Sequence, residues 1–286
     1  MKIILSRKGF DSAAGKVASA ILPSNELCWL PIPESKPHNC SKKYSDIKMG
    51  DCCLGNIVND LTRGRIKPET LVHLDPDLTF SSIPRLKNWK PIFGQAGAAE
   101  KHLQNQGVKE GDVFVFFGWF RQIEQIAGKY QYVLNAPNLH MIFGWLQIEQ
   151  RLSVDYFTSI PDWALEHPHC KTDKYNRIDS IYISTERVEL PNRVINQPGA
   201  GMFKRYNPAL CLTATGKSRS VWQLPSWFHP KDKRSSLSYH SCLSRWLRAN
   251  GYALLNTVGR GQEFVLDSED YPESIDWLCH LLSFND

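Results

Sequence analysis

The sequence has no long apolar run and no Cys-x-x-Cys motif. No stretch approaches the ~18 apolar residues that a membrane-spanning helix needs. The first residues lack the long apolar region and cleavage site of a signal peptide, so we expect a cytoplasmic protein without membrane contact. The eight cysteines include no Cys-x-x-Cys pair, and we therefore expect reduced, mostly buried thiols and no structural metal.

The two common phosphate-binding loops are missing as well. A glycine-containing turn at 94–97 leads into an Ala-rich helix ending near Gly107, but no Gly-Lys-Ser/Thr follows it. No Gly-x-Gly-x-x-Gly occurs either, which argues against nucleoside triphosphate and NAD enzymes. We expect no cofactor.

Charge of either sign is moderate. The net charge is +5 on 286 residues, which is compatible with nucleic acid but does not demand it. Several Lys and Arg residues stand among turn-forming residues, where they could contact phosphates, and a solvated surface explains them equally well. The candidate DNA-binding residues are Arg7, Lys8, Lys42, Lys43, Lys204 and Arg205.

Two similar apolar segments are the most prominent feature of the sequence. Residues 111–120 and 139–146 are rich in aromatic and β-branched residues, each contains a glycine, and both lead into Gln-Ile-Glu-Gln. This pattern predicts two long strands of a hairpin at the centre of a sheet or small barrel. Trp119 and Trp145 either pack in the core or line a slot for a flat ring.

The remaining periodicity predicts a strand over 2–6, an amphipathic helix over 235–250 that Gly251 ends, and a closing helix over 271–284. We therefore expect a single α+β domain over 1–286. Its centre would be a mixed or antiparallel sheet, or a partial barrel, with flanking helices.

Three groups of polar residues are candidates for chemistry. Asp11 follows the first strand and is either a catalytic carboxylate or a cap. Asp75 and Asp77 stand beside a histidine; they could bind a cation, polarise a water or satisfy a turn. The His-Pro-His at 167–169, if it lies on a strand, has both rings on one face, as a metal half-site or proton shuttle without an evident third ligand.

Seven segments, taken together and in order, resemble the nucleotide-modification-associated domain family, third group. They are 6–12, 73–77, 93–99, 116–120, 140–146, 167–169 and 261–265. The resemblance implies a role at modified DNA bases. It further implies a phage-defence DNA glycosylase that removes a modified cytosine such as glucosylated hydroxymethylcytosine. The two apolar strands are also similar to base-binding barrels of the PUA-like kind.

A glycosylase needs a pocket for a base that has left the stack, and a carboxylate to stabilise an oxocarbenium-like sugar. The expected pocket residues are Trp119, Phe120 and Trp145 as walls, with Gln95, His140, Gln262 and Glu263 as polar groups. The expected catalytic residues are Asp11 first, then Asp75 and Asp77, with His140 as proton donor and Glu263 as a substitute carboxylate.

The expected reaction is hydrolysis of the N-glycosidic bond, which leaves abasic sites in phage DNA. The expected partner is DNA, with no obligate protein partner. Two alternatives remain open on the sequence: a transferase or hydrolase that edits the base, and a non-catalytic reader of modified DNA.

Overall fold

The computed structural model describes residues 1–35, 42–49, 52–155, 158–170, 179–231, 235–259 and 261–285. It confirms the α+β fold expected from the sequence. The helices of the described residues are α1 (Leu54–Leu61), α2 (Gly97–Asn105) and α3 (Glu273–Leu282). The strands are β1 (Lys2–Arg7), β2 (Ser19–Ile21), β3 (Leu27–Cys28), β4 (Lys42–Lys43), β5 (Lys48–Met49), β6 (Cys52–Cys53), β7 (Leu71–Val72), β8 (Ile92–Ala96), β9 (Val113–Ile126), β10 (Lys129–Tyr132), β11 (Leu139–Ser153), β12 (Asp179–Ser184), β13 (Ala200–Met202), β14 (Val221–Pro225), β15 (Trp246–Ala249), β16 (Tyr252–Asn256) and β17 (Glu263–Asp267).

The two apolar arms form the predicted central hairpin. Strands β9 and β11 run antiparallel with Leu139 opposite Phe120 and Gln147 opposite Val113. The register of β11 shifts between Ile142 and Gly144, as a β-bulge does. Because a bulge bends its strand and increases the local twist, it favours a curled sheet over a flat one.

The large sheet is mixed and has the strand order β17-β1-β9-β11-β12-β8. Strand β1 runs parallel to β9 and antiparallel to β17. The sheet curls into a half-barrel, and a hydrogen bond from Gln95 on β8 to Glu263 on β17 joins its first and last strands. Glu263 and Gln95 lie on the two strands at opposite ends of the strand order, and the curl of the sheet brings them into contact.

The concave side of the half-barrel is packed with aromatic rings. Phe93 lies 4.8 Å from Phe114, 5.2 Å from Phe116 and 5.8 Å from Tyr182 between ring centroids. All four side chains are fully buried. Since aromatic rings bury a large apolar area, this cluster gives the curled sheet a rigid core beneath the polar residues described below.

The helical predictions are confirmed at two places and wrong at a third. Helices α2 and α3 lie where the sequence places them, and α3 buries Leu278, Leu281 and Leu282. The segment 235–250 is not a helix; it ends in β15, which pairs with β16 in the sheet β14-β16-β15. In the part of the chain that the structure describes, no helix is both long and apolar enough to cross a bilayer.

Candidate functional site

A buried carboxylate, that of Glu263, lies where the two ends of the curled sheet meet. Glu263 is fully buried and pairs with Ser6 across the β1–β17 ladder. Its Oε1 accepts hydrogen bonds from Ser6 Oγ and Lys8 Nζ, both at 3.1 Å, and from Gln95 Nε2 at 2.5 Å. Its Oε2 is buried and has no hydrogen-bond partner among the described residues.

The local backbone explains why Lys8 reaches this carboxylate. Ser6 and Lys8 are two residues apart at the end of β1, so their side chains lie on the same side of the sheet. The chain then turns at Gly9, whose φ is +85° and where a Cβ would lie 2.2 Å from Trp29 Nε1. Because only glycine fits such a position, the Lys-Gly pair fixes the end of the strand and the direction of the lysine.

Gln95 is oriented by its own backbone neighbour. Its Oε1 accepts the Ala96 N–H at 3.0 Å, which directs the amide nitrogen towards Glu263. Lys8 Nζ lies 4.4 Å from the centroid of the Phe93 ring, on the aromatic floor of the half-barrel. Lys8 and Glu263 thus form an ion pair above buried aromatic rings, and Gln95 is held in position to donate to the carboxylate. Such fixed donors are expected of a preorganised polar site.

A second carboxylate, Asp75, lies on the other side of Gly94 and Gln95. Asp75 Oδ1 accepts the Gly94 N–H at 2.7 Å and lies 3.3 Å from His167 Nε2. Burial alone would raise the pKa of Asp75, but His167, His169 and Lys8 outweigh it and hold the pKa below its ordinary value. Asp75 is therefore a charged, oriented carboxylate.

The His-Pro-His segment supplies the histidines around Asp75, although it is a short 3-10 helix (Pro168–Cys170) and not a strand. His169 Nε2 is 3.7 Å from Asp75 Oδ2. His73 joins them, and the three residues His73, Asp75 and His169 each offer one ligand atom within 4.8 Å of the other two. Two imidazoles and a carboxylate are a donor set that suits a divalent transition metal. Only His169 of the predicted His-x-His half-site belongs to this group, and the other two members, His73 and Asp75, come from the His-x-Asp at 73–75.

Asp77 does not share this environment. Both its carboxylate oxygens accept hydrogen bonds from the Arg85 guanidinium, each at 2.5 Å. Its backbone forms a bridge to Ile92. Asp77 therefore fastens the 75–85 segment to β8, and a catalytic role for it finds no support in these contacts.

His140, the predicted proton donor, lies on the opposite face of the sheet. Arg7 is paired with Phe117, whose ring is 5.5 Å from that of His140. Nδ1 of His140 accepts the Trp222 indole N–H at 3.0 Å, so its proton is on Nε2. Burial, with the nearby charges of Arg219 and Arg7, lowers the pKa of His140 to about 3. His140 is thus a neutral imidazole at physiological pH, and it is separated from Glu263 by the sheet.

Asp11 acts as a turn residue. Its Oδ1 accepts the N–H groups of both Ala13 and Ala14 at 2.7 Å, and the segment is a turn rather than a helix. The side chain thus satisfies backbone donors as a helix cap would, but no helix begins here.

The predicted pocket walls separate into core and surface. Trp145 and Phe120 are fully buried, and the Trp145 indole lies against Gly201 across the strand pair and donates to Pro198 O at 2.9 Å. They are core residues and offer no face to a base. Trp119 is half-buried with the Arg219 guanidinium 4.0 Å above its ring, and the side chain of Gln262 is exposed.

The predicted DNA-binding residues have different surroundings. Lys8 is buried against Glu263 and is not available to phosphates. Arg7 donates to Gly261 O at 3.1 Å, and Lys42 pairs with Glu166 at 3.2 Å. Exposed cations remain among the others, at Lys43, Lys204 and Arg205.

A cleft of about 700 Å³ lies away from both carboxylates, between the segments 206–217, 223–225 and 250–252. Among the described residues that line it, Lys217 carries the only charge. The cleft therefore has the volume for a ligand, but the described residues that line it include no carboxylate and no histidine.

Comparison with protein families matches residues 2–267 to the family described as nucleotide modification associated domain 3. Because the match spans nearly the whole chain, the protein belongs to this family. Comparisons with curated proteins and with solved structures gave no match. The family assignment ties the protein to nucleotide modification and is compatible with a nucleic-acid partner.

Proposed function

We propose that this protein is a DNA glycosylase that cleaves the N-glycosidic bond of a modified base. The observation that carries the proposal is the Glu263 carboxylate, which is fully buried, has three side-chain donors on one oxygen and has no described partner on the other. Buried polar atoms are nearly always hydrogen-bonded, so an unpaired buried acceptor beside a cation is where a substrate atom is expected.

The reaction needs two groups, and Glu263 and Lys8 supply both. The bond from the sugar C1′ to the base breaks, and its electron pair leaves with the base while the Lys8 ammonium donates a proton to it. The Glu263 carboxylate stabilises the oxocarbenium-like sugar, and it then accepts the proton of the water that adds to C1′. The products are a free base and an abasic sugar, and no further reactant is consumed.

The substrate is part of the proposal. Membership in a family tied to nucleotide modification supports a modified rather than an ordinary base. The resemblance described above favours a modified cytosine, such as glucosylated hydroxymethylcytosine in phage DNA, and hence a role in antiviral defence. Arg7 and Arg219 lie on the opposite face of the sheet from Glu263, and the Arg219 guanidinium lies over the Trp119 ring. This face is suited to phosphate and base contacts.

The test is mass spectrometry of small molecules released from DNA. Purified protein without additives is incubated with DNA that carries modified cytosines and, in parallel, with unmodified DNA. We expect free modified base and abasic sites from the first substrate only. Glu263→Gln keeps the size of the side chain and one acceptor oxygen, and it should lower the release by at least about a hundredfold.

A matched control is Glu149→Gln, since Glu149 is a surface acid paired with Lys90. This variant should release base at the wild-type rate. Release by Glu263→Gln at the wild-type rate would refute the role of Glu263, whereas binding of modified DNA without any product would indicate a non-catalytic reader.

A base-editing hydrolase is the second candidate, and the grouping of His73, Asp75 and His169 favours it. Such a cluster could activate water through a metal ion for attack on the base itself. The two functions differ in product: editing leaves the strand without abasic sites and changes the mass of the base that remains in DNA.

A further inference from the structure

The histidines of the Asp75 cluster are oriented by carboxylates behind them. His73 Nδ1 is 3.1 Å from Glu34 Oε2, and His169 Nδ1 is 2.8 Å from Asp179 Oδ1. An Nδ1–H that donates to a carboxylate leaves the lone pair on Nε2, and in His169 this nitrogen faces Asp75 Oδ2. Metal-ligating histidines have this arrangement, because the outer carboxylate fixes the tautomer and makes the imidazole a stronger ligand.

Asp75 is oriented in the same sense. The Gly94 N–H and His167 lie at Oδ1, which leaves Oδ2 towards His169. His167 Nδ1 accepts the backbone N–H of His169 at 3.3 Å, so the proton of His167 is on Nε2, beside Oδ1. Each of the three candidate ligands thus has its other polar atom engaged by a neighbour.

Gly94 leaves room for the imidazole ring of His169 beside β8. A Cβ at this position would lie 2.3 Å from His169 Cγ, although the backbone of Gly94 is of the extended kind that any residue adopts. The close approach of the imidazole therefore explains the glycine at position 94, whereas the backbone conformation of the strand does not require one.

The cluster is also partly accessible to solvent. The side chain of Asp75 is 5% exposed, whereas those of His169 and His73 are 13% and 22% exposed. A site with three protein ligands at one side and solvent access at the other has coordination positions for water or substrate, as catalytic metal sites do.

We infer that His73, Asp75 and His169 bind one divalent first-row transition-metal ion. With metal–nitrogen distances of about 2.0–2.1 Å, ligand atoms in tetrahedral positions are about 3.4 Å apart. The 3.7 Å between His169 Nε2 and Asp75 Oδ2 is already close to that spacing. The hard ions Mg²⁺ and Ca²⁺ prefer oxygen ligands, so two imidazoles among three donors select against them.

The proposal is independent of the glycosylase assignment, because its test measures bound metal and not base release. The full-length protein is stripped with a chelator and dialysed separately against Zn²⁺, Co²⁺, Mn²⁺, anaerobic Fe²⁺, Mg²⁺ and Ca²⁺. Bound metal is then counted by mass spectrometry, and the Co²⁺ form is examined by visible absorption. We expect about one equivalent of at least one transition metal and none of Mg²⁺ or Ca²⁺.

Variants locate the ion. His73→Ala and His169→Ala should each lose the bound equivalent and the Co²⁺ absorption, whereas His280→Ala, at an exposed histidine on α3, should keep both. Asp179→Asn removes only the outer carboxylate, and should weaken binding by about 10–100-fold without abolishing it at saturating metal. Circular dichroism of each variant confirms that it is folded.

Two results would overturn the inference. One is a wild-type protein that binds none of the four transition metals above a small fraction of an equivalent. The other is a bound equivalent that survives in folded His73→Ala and His169→Ala, which would place the ion on other ligands.

Discussion

Replacing Lys8 by methionine tests whether the candidate site contains a buried ion pair. Lys8 Nζ is 3.1 Å from Glu263 Oε1, and the two side chains are 9% and 0% exposed. Methionine keeps most of the apolar stem but removes the charge. Because Glu263 would remain buried without its cation, we expect a loss of about 3–5 kcal/mol in the free energy of unfolding.

A double-mutant cycle measures the interaction energy between Lys8 and Glu263 separately from the contacts that each makes with other residues. Glu263→Gln alone leaves an acceptor for Ser6 and Gln95, and the double variant Lys8→Met/Glu263→Gln removes both charges. The double variant should therefore lose less than the sum of the single variants, with a coupling energy of about 1–3 kcal/mol.

The same chain offers a matched surface pair. Lys231 and Glu273 are 3.0 Å apart, but each is 44% exposed, so their coupling should be below about 1 kcal/mol. Both cycles are measured by urea unfolding with tryptophan fluorescence and circular dichroism, at constant m-value. A Lys8→Met loss below about 1 kcal/mol, with coupling no larger than that of the surface pair, would refute the buried pair.

Two further predictions concern His140 and Gly94. Since burial lowers the pKa of His140 to about 3, only the unfolded chain takes up its proton near pH 6.5, and stability is lost as the pH falls below that value. This loss is about 2 kcal/mol by pH 5, and urea unfolding at pH 7 and 5 should show that His140→Gln lacks it. Gly94→Ala displaces His169 and should destabilise by about 1–3 kcal/mol in thermal unfolding. Gly259→Ala, which enters open space, should be nearly neutral.

The sequence predicts the centre of the fold well because the signal there is long and regular. The β9–β11 hairpin needs only two continuous apolar runs with turn residues between them, and both strands are buried on nearly every residue of their first halves. Periodicity fails at 235–250, where Leu243 and Leu247 are exposed while Trp246 is buried. The missed signal is Asn250-Gly251, a two-residue hairpin turn with Gly251 at φ +79°, which joins β15 to β16.

The site is only partly predictable, because its residues come from both ends of the sheet. Gln95 and Glu263 are far apart in the chain and in the strand order, and only the curl of the sheet joins them. The two-residue spacings His-x-Asp at 73–75 and His-x-His at 167–169 are visible in the sequence. Nothing in the sequence shows that they meet. Glu34 and Asp179, which orient the imidazoles of His73 and His169, do not belong to any recognisable sequence motif.

Alternation along β1 separates two groups of polar residues that the sequence places together. Ser6 and Lys8 face Glu263, whereas Arg7 faces Phe117 and lies near Arg219 on the other side. If DNA contacts the Arg7 side and chemistry takes place at Glu263, binding and cleavage can be changed separately. Arg219→Ala should then weaken DNA binding and reduce its salt slope by about 1, with the single-turnover rate at saturating DNA unchanged. A variant that binds normally but reacts slowly would instead place the reacting base on the face of Arg219 and His140.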